Sequence, residues 1–250
     1  MKLVKIIFSP TGGTKAAVNA IAAPWEGESK IIDLVSKSTV PEEEIIEADD
    51  LVIIGMPVYA GRIPAYAAAR LAKIKGNGAK CAVVAVYGNR AFEDAIIETS
   101  DIAKECGLVV CAAAGAVAEH SIARNVAAGR PDGADNKILA EFGEKMIKAM
   151  QEGKPLENIP GNRPYKPGPS GPNIPDAGKN CVRCCTCQAS CPVGAIEGDM
   201  VSNPAKCIGC LRCIKVCPFK VRKLPKETVE RISGYLANVC PDRAEPELFL

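Results

Sequence analysis

The chain has 250 residues but only one histidine and one tryptophan, and aromatic side chains make up 4% of it. The lone histidine, His120, sets aside His-based catalytic triads and multi-histidine metal sites. No apolar run approaches the roughly 18–20 residues of a membrane span, so membrane insertion is not expected. Strong charge of either sign is also missing. The formal net charge of +2 is too near neutral for a nucleic-acid binder. Nor does a secretion signal open the sequence: Met1 to Phe8 leads straight into a polar, glycine-containing loop without a cleavage pattern. The thirteen cysteines are therefore expected as thiols in a reducing cytoplasm rather than as disulfides. Apolar residues amount to 48%, so the chain folds, and its length suits one ordinary domain plus a small one.

Cysteine is what the sequence has in excess, and its spacing is regular. Cys181, Cys184, Cys187 and Cys191-Pro192 are followed by Cys207, Cys210, Cys213 and Cys217-Pro218. Both are the C-x2-C-x2-C-x3-C-P run of bacterial ferredoxins, in which three close thiolates hold one 4Fe-4S cube and the fourth reaches the other cube. Two residues between cysteines let the chain curl around a cube, and soft thiolates suit iron–sulfur chemistry. Zinc is the alternative, but zinc sites pair two C-x2-C knuckles into four ligands, whereas each copy here has three close cysteines and a fourth. Cys184, Cys187, Cys191 and Pro192 recur 26 positions later, which marks a duplicated half-module. Cys185 breaks the three-residue step and reads as a spectator thiol. Cys81, Cys106 and Cys111 fall on apolar strand or helix positions and read as core residues, and Cys240 as a core or capping residue.

Charge is unevenly distributed. Residues 1 to 160 carry 18 Lys and Arg against 21 Asp and Glu, while residues 176 to 223 carry 8 against 3. Two oxidised cubes with four thiolates each would bring about −2 apiece and offset most of that local excess. A docking face for an acidic partner is the other use of such charge.

The first 150 residues alternate strand-like and helix-like stretches, which predicts a parallel α/β sheet. Strands are expected at residues 2–8, 30–34, 51–55, 81–87 and 108–117, and helices at 15–23, 64–75, 92–106 and 135–151. Seven prolines between Pro155 and Pro175 exclude helix and sheet interior and suggest a semi-rigid spacer. The expected divisions are 1–154 for the α/β domain, 155–175 for the linker, 176–225 for the cysteine-rich domain, and 226–250 for a short helix and tail. The apolar end, Leu248 to Leu250, is expected to pack against its own domain.

Directly after the first strand comes Ser9-Pro10-Thr11-Gly12-Gly13-Thr14, followed by a helix. Hydroxyls of Ser9, Thr11 and Thr14, with N–H groups at the helix start, can surround a phosphate, and Gly12 and Gly13 let the backbone approach it. Capping of the helix is the plainer role for such residues. The loop is neither a Walker A sequence nor a G-x-G-x-x-G.

The S-x-T-G-x-T loop resembles the FMN phosphate loop of flavodoxins. Taken whole, the chain is similar to ferredoxin–flavodoxin fusions: a short-chain flavodoxin-like five-stranded, parallel, doubly wound sheet, then a small α+β bacterial ferredoxin-like domain with two 4Fe-4S clusters. That resemblance implies that the loops after the third and fourth strands flank the flavin ring. Pro57, Val58, Tyr59, Gly61 and Arg62 belong to the first, and Tyr87, Gly88, Asn89 and Arg90 to the second. Tyr59 would lie against the ring, Gly88 and Asn89 would bond its polar edge, and Arg62 or Arg90 would stabilise reduced anionic flavin. Ordinary flavodoxins sandwich the ring with Trp or Tyr, yet Trp25 follows the first helix and reads as structural. His120, near the presumed flavin end, also reads as structural.

The expected role is intracellular electron transfer between FMN and two 4Fe-4S clusters, with redox proteins as partners. Two other readings stay open: an FMN-dependent oxidoreductase acting on a small substrate, and a ferredoxin whose flavodoxin-like domain is a flavin-free docking module.

Overall fold

The computed structural model describes residues 1–250. Its centre is a sheet of parallel strands β1 (Leu3–Ile7), β2 (Ser29–Asp33), β3 (Leu51–Pro57), β4 (Lys80–Tyr87) and β5 (Val109–Val117) in the order β2-β1-β3-β4-β5. β3, β4 and β5 are continuous apolar runs because helices cover both faces of the sheet, as parallel strands require. Helices α2 (Ala65–Leu71) and α3 (Ala95–Glu105) cover one core layer, built around Ile54, Met56, Val83 and Phe8. On the other face, α1 (Gly13–Ile21) and α4 (Gly133–Glu152) pack on Ile53, Val84, Ala112 and Leu139. This is the doubly wound, flavodoxin-like order, and its winding direction reverses between β1 and β3. The loops following β1 and β3 therefore diverge around one crevice at the carboxyl end of the sheet. Trp25 packs on the second core layer and donates its Nε1–H to the Glu28 carbonyl at 3.0 Å, a structural role.

A sixth strand, β6 (Glu247–Phe249), pairs antiparallel with β5 at the sheet edge. The apolar C-terminus thus crosses back to the first domain instead of packing on its own. Phe249 reaches the first core layer and stacks edge-on with Phe92 at 6.0 Å. The backbone before it is tied down twice. Asn89 donates to the carbonyls of Cys240 and Asp242 at 3.2 and 2.8 Å and accepts the Ala244 N–H at 3.0 Å. Arg130, paired with Asp135 at 2.8 and 2.5 Å, donates to the Ala244 carbonyl at 2.6 Å.

The proline segment is strapped to the sheet domain along its length. Leu156 is buried and its N–H donates to the Val110 carbonyl at 2.8 Å. Asp94, at the start of α3, accepts the backbone N–H groups of Asn162 and Lys166 at 2.9 and 2.8 Å. Asp101 takes the Tyr165 hydroxyl at 2.5 Å and the Arg163 guanidinium. A free spacer would leave these carboxylates in water. Here they fix where the cysteine-rich region begins.

That region is small and nearly without regular structure: α5 (Thr186–Ala189), α6 (Arg212–Lys215) and two single-pair ribbons, Asp176 with Lys223 and Ile196 with Ser202. Helix α7 (Lys226–Val239) then leads to the tail.

Candidate functional site

The cysteine repeat is a repeat of backbone shape. Arg183, Cys185 and Gly194 have positive φ of 55°, 59° and 63°, and their counterparts 26 positions on, Gly209, Leu211 and Lys220, have 64°, 59° and 53°. In each copy two left-handed residues turn the chain just before a four-residue helix, and a third follows the helix and the fourth cysteine. Cys181, Cys184, Cys187 and Cys217 line one cavity together with Met200 and Arg222. Burial pushes the Cys210 thiol up to about 12, and the nearby sulfurs of Cys213, Cys191 and Cys207 add to the rise. No three His, Cys, Asp or Glu side chains converge at single-ion distances. Four sulfurs around the walls of a cavity fit a cube of four irons better than one small ion, and positive iron is what would draw protons off such buried thiols.

Backbone N–H groups are already aimed at several sulfurs. Cys191 Sγ accepts from Ala195 N–H at 3.2 Å, and Cys207 Sγ from Gly209 N–H at 3.4 Å. Burial raises the Cys217 thiol, but N–H groups of residues 219–222 outweigh this and leave it below its ordinary value. Such donors stabilise thiolate charge and tune a bound cluster. Cys185 is exposed and also borders the first cavity, and its Sγ donates to the Arg183 carbonyl at 3.3 Å.

A cavity of about 510 Å³ lies between this region and the carboxyl end of the sheet. One wall is the turn after β3, another the stretch from His120 to Ile122, and a third the segment Cys207 to Gly209. The turn is tight: Tyr59 and Arg62 exchange N–H···O bonds at 2.8 and 3.2 Å, with Ala60 and Gly61 at φ 52° and 85°. Two successive positive φ values define a type I′ turn. At Gly61 a Cβ would lie 1.9 Å from Glu93 Oε2, so any larger residue there would have to displace the Glu93 side chain as well as adopt a positive φ. Desolvation of the Tyr59 hydroxyl raises its pKa, and the neighbouring Cys210 sulfur adds to the rise. Tyr59 therefore joins the cavity to the second cysteine group. Two more contacts fix the spacing. Tyr66 donates its hydroxyl to the Pro192 carbonyl at 3.1 Å, and Ile208 packs against the sheet's first core layer.

The loop after β1 has free donors. The N–H groups of Gly12, Gly13 and Thr14 meet no acceptor within the protein, and Gly12, at φ 104°, turns them outward at the start of α1. Ser9 Oγ accepts the Lys15 N–H at 2.9 Å, which leaves its own proton free to donate. Thr11, Gly12 and Gly13 open into a groove that Ser121 shares with the cavity, so loop and cavity are continuous. The far wall of the groove carries Lys215, Lys220 and Lys223. Neutral donors, a helix N-terminus and this basic wall suit a phosphate, and the adjoining cavity suits a flat ring system.

Several side chains expected at the flavin are held elsewhere. Arg62 borders the cavity, but its guanidinium grips Glu98 at 2.7 Å on two nitrogens and stacks 4.6 Å from the Tyr165 ring centre. Arg90 is paired with Glu93 at 3.1 and 2.5 Å, and Asn89 is spent on the C-terminal tail. Tyr87 stacks on Phe92 under that same tail. Arg62, Arg90 and Asn89 thus meet polar partners inside the protein. Gly88 stays near the site by packing on His120, where a Cβ would lie 2.4 Å from the imidazole Cδ2. Pro57 ends β3, and Val58 lines the cavity.

His120 has a positioning job. Its Nδ1 accepts N–H groups from Ala123 and Ile122 at 2.9 and 3.3 Å, which assigns the ring proton to Nε2. Burial lowers its pKa. Cys81 and Cys111 are buried in the sheet and Cys106 bonds the Leu71 carbonyl, so these three are packing residues. Sequence reasoning passed over Arg222. Extending the 26-residue repeat five positions past Cys217 would have found it opposite Ile196.

A family model described as a 4Fe-4S binding domain matches residues 200–223, the segment containing Cys207, Cys210, Cys213 and Cys217. No curated protein matches the chain. Among solved structures, a flavodoxin from the domain Archaea is 16% identical over 60% of this chain and 99% of its own, with a TM-score of 0.40. The two-electron reduced flavodoxin of Megasphaera elsdenii is 17% identical over 57% of this chain and 98% of its own, with a TM-score of 0.37. Rubredoxin oxygen:oxidoreductase of the anaerobe Desulfovibrio gigas is 14% identical over 60% of this chain, with a TM-score of 0.42, and the match spans only 36% of that protein. The strand order, not these distant likenesses, defines the first domain. The molecule joins a flavodoxin-like parallel α/β sheet to a ferredoxin-like, 4Fe-4S binding region, which is the organisation of a flavodoxin–ferredoxin fusion. Its role is redox and electron transfer. No helix is long and apolar enough to cross a membrane.

Proposed function

We propose that the protein relays electrons between an FMN at the carboxyl end of the sheet and two 4Fe-4S clusters. One cluster would be held by Cys181, Cys184, Cys187 and Cys217, the other by Cys191, Cys207, Cys210 and Cys213. The phosphate would rest on Ser9 to Thr14, and the ring would lie in the cavity beside Tyr59. FMN supplies two-electron capacity when bound, while each cube passes one electron at a time. The observation that carries this reading is the cavity wall: the turn of Tyr59 and the segment Cys207 to Gly209 face the same space. The residues of 1–154 and 176–225 would act as two electron-carrying units, with 155–175 and 226–250 as the straps that fix their separation.

In this order the cluster of Cys207 is the inner one and that of Cys181 the outer. Around the outer one, Val182 and Phe219 are 60% and 54% exposed. An exposed apolar patch beside a cluster suits a one-electron carrier protein as the redox partner. The test is anaerobic reconstitution of the full chain with flavin, iron and sulfide quantified. One flavin and eight irons per chain are expected. A flavin-free preparation with eight irons would leave a ferredoxin with a docking module, and a preparation with four irons would leave one cluster.

A further inference from the structure

Arg222 is 2% exposed, the largest of the fully buried side chains. Its Nη1 donates to the Met200 carbonyl at 2.9 Å and faces Cys187 Sγ at 3.8 Å, while Nη2 donates to the Ser202 hydroxyl. Cys213, of the other group, also lies within its reach. Nε has no acceptor at all. None of its partners is a carboxylate. A guanidinium keeps its charge in proteins, and a buried, unpaired charge is strongly unfavourable. Something outside the protein's own side chains must offset it.

The repeat says where that asymmetry lies. Ile196 stands 26 positions before Arg222, is also buried, at 4%, and pairs with Ser202. Each stands five residues after the fourth cysteine of its copy, and Ile196 belongs to an apolar cluster with Cys187 and Cys191 against which Cys207 and Cys213 pack. Arg222 lines the cavity of Cys181, Cys184, Cys187 and Cys217. Ile196 stands after Cys191, which joins the other group. Two sites built by one duplicated backbone thus differ by a buried cation at one and an aliphatic group at its counterpart.

Resting on the two-cluster reading, we infer that Arg222 is the counter-charge of the outer cluster and splits the two reduction potentials. A fixed cation stabilises the added electron, so the outer cluster is the more easily reduced. The unmet Nε–H is a donor for cluster sulfur. Electrons arriving through the inner cluster then run downhill toward the exposed face of Val182 and Phe219.

The test compares Arg222→Gln with Arg222→Lys in the anaerobically reconstituted full chain. Iron and sulfide are quantified first, followed by an EPR-monitored redox titration. In the native chain two reduction steps are expected. R222Q should move the upper step down toward the lower one, and R222K should keep the order and most of the separation. Unchanged potentials in R222Q with full iron would overturn the proposal. If R222Q alone loses iron, the charge is required and the proposal stands; equal iron loss in both variants marks a shape requirement and overturns it. Four irons in the native chain would refute the two-cluster reading on its own, and a downward shift of that single cluster in R222Q would still be charge tuning.

Discussion

Asp135→Asn should loosen the whole C-terminal strap. The Arg130 and Asp135 side chains are 3% and 0% exposed and make two hydrogen bonds at 2.8 and 2.5 Å. Asp135 also accepts Arg243 at 2.9 Å and the Asp132 N–H at 2.9 Å. Neutralising it strands Arg130 in the interior, a loss of about 3–5 kcal/mol for a buried pair broken on one side. At about 2–4 °C per kcal/mol for a domain of this size, the melting midpoint should drop by roughly 6–20 °C. Burial raises the Asp135 carboxyl, but the Arg130 hydrogen bonds and charge outweigh this and hold it below its ordinary value. A depressed carboxyl gives stability that is present above the unfolded pKa of about 3.9 and lost as pH falls through the folded value. The native chain should therefore lose this contribution below about pH 4, and D135N should have none to lose. Thermal melts followed by circular dichroism from pH 3 to 7 measure both effects. Replacing Arg130 and Asp135 together by Met and Leu should recover most of the loss, since the stranded charge is then gone. A D135N penalty under about 1 kcal/mol at pH 7, the range of an exposed pair, would refute the reasoning.

Thr11→Val and Thr14→Val should each weaken FMN binding about 10- to 100-fold, the loss of one hydrogen bond to a charged group, as read by flavin fluorescence quenching. A flavin-free docking domain would be indifferent to both. Cys217→Ser should remove about half the iron and leave the Cys207 group loaded, whereas Cys185→Ser should keep full iron; iron and sulfide analysis decides. For His120, burial depresses the pKa, so the unfolded chain binds the proton more readily. Its contribution to stability is then present above the unfolded value of about 6.5 and declines as pH falls below it; His120→Gln should flatten that part of the melting-temperature profile.

The parallel sheet could be read from sequence because β3, β4 and β5 are near-continuous apolar runs and every strand of the parallel set except β2 is followed by an α-helix. The strap β6 could not. Glu247 to Phe249 is three residues long and carries no period, and its partner β5 is more than a hundred residues away. The cysteine groups were legible because three-residue steps fix sulfur positions almost by themselves. Arg62 and Arg90 show the opposite case. An arginine in a loop near a ligand site is informative only when its counter-charges are known, and Glu98 and Glu93 come from the neighbouring helix and loop. The proline segment misled in a similar way. Its composition forbids helix and sheet interior, but Asp94 and Asp101 on α3 bind its backbone and side chains without needing either.

These straps bear on why the two units share a chain. A flexible linker would raise the local concentration of one electron carrier near the other, yet leave each transfer waiting on an encounter. Here the linker is held by Asp94 and Asp101, the tail by Asn89 and Arg130, and the Cys191-Pro192 dipeptide by Tyr66. Tyr66 matters most of these for the relay, because Pro192 adjoins a predicted inner-cluster ligand while Tyr66 itself lines the cavity. One hydroxyl–carbonyl bond therefore spans the two sites. Under the proposed relay, the inner cluster's distance from the flavin would be set by packing instead of diffusion, and the outer end, with Val182 and Phe219 exposed, would be left to meet a second protein.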